Sequence, residues 1–194
     1  MSLKFLDSGA WRGYRLERFP DESWAVEGPV LRALPQAKPV SLVSRERFAD
    51  FDLSFEWRLA VGGNSGLMYR VTEDEEAPWQ SGPEMQLLDD AQHPDGRVPE
   101  TSCGALYGLY APLSAPPCPP ARYNFARIRA HGSRVEHWLN GVRVLAFDLA
   151  SEDFRLRLAV SKFKAFPQFG QHREGHLVLQ HHGSEVCFRN IRIG

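Results

Sequence analysis

The sequence predicts an all-β protein built as an antiparallel sandwich or barrel, and three features carry that expectation. In FADFDLSFEWRLA, Phe51, Leu53, Phe55, Trp57 and Leu59 alternate with Asp52, Ser54, Glu56 and Arg58. A period of two gives a strand one dry face and one polar face. Asn140-Gly141 lies between apolar runs in HWLNGVRVL, and Asn-Gly supplies the two positive φ values of a type I′ hairpin turn. Turn signals also separate short apolar segments about every ten residues, the spacing of sandwiches and barrels. No internal repeat, heptad or long helical period competes with this reading.

Taken in order, SRERFAD (residues 44–50) reads as a short helix just before the first long strand. NSGLMYRV (64–71) reads as a strand with Arg70 out of phase with Leu67, Tyr69 and Val71. GPEMQLLDD (82–90) follows as another strand. Residues 90–103 carry Pro, Gly and Asp, and residues 111–121 (APLSAPPCPPA) hold five prolines. Proline removes a backbone donor, so both stretches read as long loops of the kind that rim binding sites. YNFARIRAHG and RVEHWLNGVRVLAFDL form hairpins, the first turning at GSR (132–134). SEDFRLRLAV (151–160) reads as a strand, because Phe154, Leu156, Leu158 and Val160 alternate with Arg155 and Arg157. GHLVLQHHG and SEVCFRNIRI complete the set.

The bulk numbers set bounds. A length of 194 residues fits one domain, 1–194, able to bury a core without staples. The net charge is −1 and no basic block appears, so a nucleic-acid surface is not expected. No apolar run approaches membrane-spanning length. The N-terminal MSLKFLDSGAWRGY has one Lys and no apolar core segment, unlike a secretory signal. The sequence as it stands is expected in the cytoplasm, or in the periplasm or outside the cell if a leader was removed. Three cysteines without paired spacing argue against a disulfide framework, and no C-x-x-C suggests structural zinc. Oligomeric state is not legible.

GPEMQLLDD places three polar groups in an apolar strand. Strict alternation would send Glu84 and Gln86 to one side and Asp89 to the other, toward the core, which is costly for a carboxylate. A β-bulge at Leu87-Leu88 restores the phase, so the expectation is a bulge with Glu84, Gln86 and Asp89 projecting together. Arg70, Gln180 and His182 join them in a polar patch on one concave sheet, where bordering aromatics suit a sugar. The E-x-Q-x-x-D spacing resembles the E-x-D-x-x-E strand of retaining sandwich endoglucanases, with Gln86 and Asp89 departing from it. His181 and His182 are adjacent, so they point to opposite faces and do not chelate one metal together. A divalent metal held across strands by Asp89, Glu84 or His182 stays open.

Many blocks in order resemble one family, the 3-keto-disaccharide hydrolase domain. They are SGAWRGY, WAVEGPVL, RFADFDLSFEWRL, GGNSGLMYR, GPEMQLLDD, GALYGLYAP, NFARIRAHGSRVEHWLNGVRV, SKFK, GHLVLQHHG and VCFRNIRI. The chain departs from the family at Pro83, Tyr123, Asp90 and His181; the last stands where relatives carry an acid. The resemblance implies a concanavalin A-like jelly roll and cleavage of glycosides oxidised to a ketone at C3. That ketone acidifies the C2 proton, and its removal expels the C1 substituent. Such a reaction needs a base, an oxyanion stabiliser and an acid. The roles expected on this resemblance are Glu84 or His182 as base, Arg70 or a bound cation on the enolate, and Asp89 as acid or metal ligand. Asn64, Gln86, Asn124 and Gln180 hold hydroxyls, and Lys164 reaches the rim. The alternative is a carbohydrate-binding module without catalysis, since the fold hosts both.

Overall fold

A computed structural model describes residues 4–194. Its strands are β1 (Lys4–Phe5), β2 (Trp11–Gly13), β3 (Trp24–Glu27), β4 (Val30–Ala33), β5 (Leu42–Phe48), β6 (Phe51–Leu59), β7 (Asn64–Val71), β8 (Glu84–Leu88), β9 (Asn124–His131), β10 (Arg134–Leu139), β11 (Val142–Asp148), β12 (Gly175–Leu179) and β13 (Val186–Ile193), with one α-helix, α1 (Glu152–Val160). They form two antiparallel sheets. One has eight strands in the order β11-β10-β9-β6-β13-β4-β3, with β1 alongside β13; the other has five in the order β2-β5-β12-β7-β8. The all-β sandwich is therefore observed.

The sheets meet through residues that alternate along the strands. Leu53, Phe55, Trp57 and Leu59 of β6 share one apolar core with Leu67 and Tyr69 of β7, Met85 and Leu87 of β8, and Leu177 and Leu179 of β12. Strand β6 keeps its period of two over its whole length. Asn140 and Gly141 have φ of 45° and 85°, as a type I′ turn requires, and they join β10 to β11. The Asn140 side chain also accepts from the Phe125 amide and donates to Pro117 O and Asn124 Oδ1. The turn thus ties the proline-rich loop to the sheet.

Two elements differ from the sequence reading. Residues 152–160 are α1, not a strand. The Ser151 hydroxyl accepts from the Phe154 amide, and Glu152 and Asp153 fill the first turn, where the helix dipole favours negative charge. Only Phe154 of the apolar set is fully buried; Val160 is 84% exposed. An alternation that mostly faces water carries little energy, and the N-cap decides. Conversely, residues 44–48 lie in β5 and not in a helix. Against β12 the pairing jumps from Val178↔Val43 to His176↔Arg47, so β5 carries two extra residues. The Ser44 hydroxyl accepts from the Leu177 amide and fills the gap in the ladder.

One buried polar group lies between the sheets. His137 Nδ1 donates to the Gly104 carbonyl at 3.1 Å, which leaves Nε2 to accept from the Tyr69 hydroxyl at 3.2 Å. Burial pushes the His137 pKa down to about 4, opposed by the Gly104 bond. Between that value and about 6.5, the unfolded chain takes up a proton that the folded chain refuses. This contribution to stability is complete above about pH 6.5 and is lost as the pH falls toward 4. Unfolding followed by denaturant titration is expected to show that decline, and His137→Gln to flatten it; an equal decline in both proteins would remove His137 as its cause.

Candidate functional site

On the face of the five-stranded sheet turned away from the core, a hollow of about 160 Å³ is lined by Asn64, Trp79, Glu84, Gln86, Tyr107, Lys162, Gln180 and His182. The strands place these groups by simple pairing. Met68 lies opposite Glu84, Gly66 opposite Gln86 and Asn64 opposite Leu88. Opposed residues share a face, so Asn64, Glu84 and Gln86 stand together. Gln180 joins them because its amide donates to Gly66 O at 2.9 Å and its carbonyl accepts from the Ser65 hydroxyl at 2.8 Å. A Cβ on Gly66 would lie 1.9 Å from Glu84 Oε1. The Glu84 side chain therefore occupies the space that this glycine leaves open.

The other edge of β8 is also held. Gly104 N donates to Gln86 O, Gln86 N to Ala105 O and Tyr107 N to Glu84 O. The Gln86 side chain donates to Thr101 O at 3.2 Å.

The hollow is rich in unsatisfied polar atoms. Asn64 Oδ1, Glu84 Oε1 and Gln180 Oε1 are all buried without a hydrogen-bond partner. Such groups are destabilising by about 1–3 kcal/mol each unless a ligand supplies the missing bond. Burial pushes the Glu84 pKa up to about 8; Lys162 pulls it down and Asp95 pushes it further up. Glu84 thus keeps its proton at neutral pH. Lys162 extends its ammonium over the rings of Tyr107 (4.5 Å), Trp79 (5.0 Å) and Phe163 (5.1 Å). Each such contact is worth about 0.5–1 kcal/mol at an exposed site. Burial lowers the Lys162 pKa, while Glu84 and Asp95 raise it.

A larger depression of about 670 Å³ on the outer face of the eight-stranded sheet involves Asp52, Arg127 and Arg129. There the charges already pair with one another, Arg127 and Arg129 both with Asp52. The smaller hollow, with its unpaired atoms, is the better candidate.

Of the sequence-predicted residues, Glu84, Gln86, Asn64, Gln180 and His182 come together, and four do not. Strand β8 pairs with β7 without a register shift, so there is no bulge at Leu87-Leu88. Leu88 takes the place expected of Asp89. Asp89 lies just beyond the strand, 3% exposed, and its carboxylate accepts from the Gly62 amide at 2.8 Å and the Ala91 amide at 3.2 Å. It holds two loops and does not line the hollow.

A bulge exists one strand over, in β7. His176 pairs with Val71 but Val178 with Met68, so β7 carries one extra residue at Tyr69–Arg70. Arg70 has φ of 53°, and the absence of a Cβ on Gly175, which would lie 2.4 Å from the Arg70 carbonyl carbon, lets β12 pass. This turns the Arg70 guanidinium away from the site, onto Ala49 O and Gly132 O. Asn124 belongs to the other sheet and donates to Pro119 O and Arg122 O in the proline-rich loop. Lys164 is exposed and outside the hollow; the lysine of SKFK that reaches it is Lys162.

His181 turns inward, donating to Leu34 O with its edge on Trp24, while His182 faces the hollow. Of the three residues considered for a metal, Glu84 and His182 line the hollow and Asp89 does not; no group of three or more His, Cys, Asp or Glu fit for one occurs among the described residues. Trp79, Tyr107 and Lys162 were missed by sequence reasoning. They come from a 3₁₀ turn, a loop and the turn after α1, where no periodicity marks a direction.

Two packed antiparallel sheets with a recessed acid and a cluster of amides on one outer face define the protein as a β-sandwich with a polar hollow. More narrowly, the chain belongs to the 3-keto-alpha-glucoside-1,2-lyase-like domain family, whose sequence profile matches residues 5–194. It is 30% identical to a 3-keto-disaccharide hydrolase of Bacteroides thetaiotaomicron, across 94% of this chain and 73% of that protein. A Parabacteroides distasonis crystal structure provisionally described as a glycosyl hydrolase superposes with a TM-score of 0.88 at 31% identity, covering 96% of this chain and 88% of that one. A carbohydrate-binding module, CBM66 of Bacillus subtilis, shares the fold at a TM-score of 0.59 and 12% identity, over 94% and 93% of the two chains.

Proposed function

We propose that this protein cleaves 3-keto-glycosides by removing the proton on C2 and eliminating the substituent on C1. The observation that carries the reading is Glu84, a buried carboxyl with an unpartnered oxygen that holds its proton at neutral pH. A protonated acid is what a departing alkoxide needs. His182, on the same hollow, is the base. The C2–H bond breaks toward His182, and its electrons form the enolate with the C3 oxygen. The enolate then collapses, C1=C2 forms, and the C1–O bond breaks as Glu84 delivers its proton to the leaving oxygen. Addition of water to C1 gives net hydrolysis. Asn64 and Gln180 present unpaired acceptors to sugar hydroxyls, and Gln86 stands beside them. Membership of the family and the activity for which the Bacteroides relative is named support this substrate class.

Incubation with a glucoside and its 3-keto counterpart, with and without chelator, tests the proposal. Product is expected from the ketone alone. Saturable binding of sugar without product would favour the carbohydrate-binding alternative. Turnover is also expected to fall as the pH rises through about 8, where Glu84 loses its proton; burial resists that loss and the charge of Lys162 favours it. A rate that keeps climbing past pH 9 would remove Glu84 as the acid.

A further inference from the structure

We infer that Lys162 is the cation that stabilises the enolate, the part for which the family resemblance suggests Arg70 or a bound cation. This deepens the reading above and rests on it. Elimination by way of an enolate places negative charge on the C3 oxygen, and a site without a cation or strong donor there would leave that charge bare. Among the described residues lining the hollow, Lys162 is the one lysine or arginine. Arg70, the alternative in the sequence, has its guanidinium turned onto Ala49 O and Gly132 O.

The surroundings of Lys162 prepare it for this task. It opens the 3₁₀ turn Lys162–Ala165, where the Ser161 hydroxyl accepts from the Phe163 amide. Phe163 is buried and stacks on Phe169 at 4.1 Å, which fixes the turn. The stem reaches the hollow, and the centroids of three rings lie 4.5–5.1 Å from the ammonium of this otherwise exposed residue. Aromatic faces hold a cation in place without forming hydrogen bonds to it. Lys162 forms no ion pair among the described residues, so its three N–H donors stay free for an incoming oxygen. Burial lowers the pKa of the ammonium, and the charge of Asp95 acts against that. The hollow thus offers two kinds of partner. Asn64, Gln180 and Glu84 present unpaired oxygens, which suit hydroxyl groups. Lys162 presents unpaired donors, which suit an oxygen that accepts, and a 3-keto sugar differs from an ordinary one in having such an oxygen.

The step is balanced within the site. Electrons of the C2–H bond move into C2=C3 and onto the C3 oxygen, where the ammonium faces them. They return when C1=C2 forms and the C1 substituent leaves. No oxidant or reductant enters.

The test uses the full chain and a 3-keto-glucoside with a chromogenic leaving group. Lys162→Met is expected to lower kcat by about 10²–10³-fold, the range for loss of one oxyanion donor, with KM little changed. Lys162→Arg is expected to restore part of that loss. Exchange of the C2 proton in deuterated water, followed by proton NMR, is expected to slow in parallel, a readout that simple loss of packing does not move alone. Unfolding curves for both variants confirm that they fold. Wild-type kcat in Lys162→Met, or unchanged C2 exchange, overturns the assignment. So does borohydride reduction that fixes the sugar to Lys162, which would make the amine a covalent catalyst. Wild-type protein that leaves the ketone intact instead overturns the parent reading and this one together.

Discussion

Glu84→Gln is expected to lose about 10³-fold in turnover of a 3-keto-glucoside, within the range for removing a positioned proton donor, while gaining stability in alkaline solution. The two effects have one cause. Glu84 is buried, and its pKa rises from an ordinary 4.5 to about 8. Between those values the folded chain holds a proton that the unfolded chain has released. Stability therefore falls as pH rises through the window. Glutamine occupies the same space, carries no proton to lose and removes that dependence. At pH 9 the variant is expected to exceed the native protein by on the order of a few kcal/mol, the difference shrinking toward zero near pH 4.5. Lys162 acts against the penalty, so the gain is expected to be smaller than burial alone implies. Parallel kinetics and thermal unfolding at pH 5, 7 and 9 check both halves. Undiminished turnover removes Glu84 from the chemistry; a stability difference independent of pH would mean that its carboxyl is not buried in solution.

Gly66→Ala is expected to cost about 10²-fold in kcat, since displacing a reacting group by an ångström has effects of that size. The introduced methyl carbon would lie 1.9 Å from Glu84 Oε1 and 2.7 Å from Cδ. The carboxyl must therefore leave its present position. The clash is with the end of a side chain and not with backbone, so β7 and β8 can keep their pairing. Unfolding is expected to shift little, because alanine in a strand interior offsets some strain with its lower backbone entropy cost. The diagnostic result is that activity falls far more than stability does. Full activity in this variant would show that Glu84 works equally well from another rotamer.

The sequence made legible those parts whose direction is dictated by local pattern. Strand β6 declares itself through five apolar residues at a period of two, and Asn140-Gly141 through its backbone requirement. Glu84 and Gln86 were legible because polar groups in an apolar strand need a reason. Their partner was misplaced because alternation cannot say which strand carries a bulge. The irregularity falls at Arg70, where a glycine on the neighbouring strand makes room. That coupling lies between residues more than a hundred positions apart and leaves no local trace. The same limit hid Trp79, Tyr107 and Lys162, since turns aim side chains through tertiary packing. The misreading of 151–160 had a local remedy, because Ser151 followed by Glu152 and Asp153 is a helix start. Asn124 illustrates the opposite error: a polar side chain at a strand start that serves a loop and not a ligand.

Strand β8 is the last of its sheet, and its free side is occupied by residues 104–107 of the same chain. Proteins commonly recruit peptides or further copies of themselves by annealing an extended segment onto an unsatisfied sheet border. Here that border is already taken, directly beside Glu84. A visiting chain therefore finds no free backbone groups to anneal to at residues 84–86, and Glu84 stays open only from over the sheet, where the hollow lies.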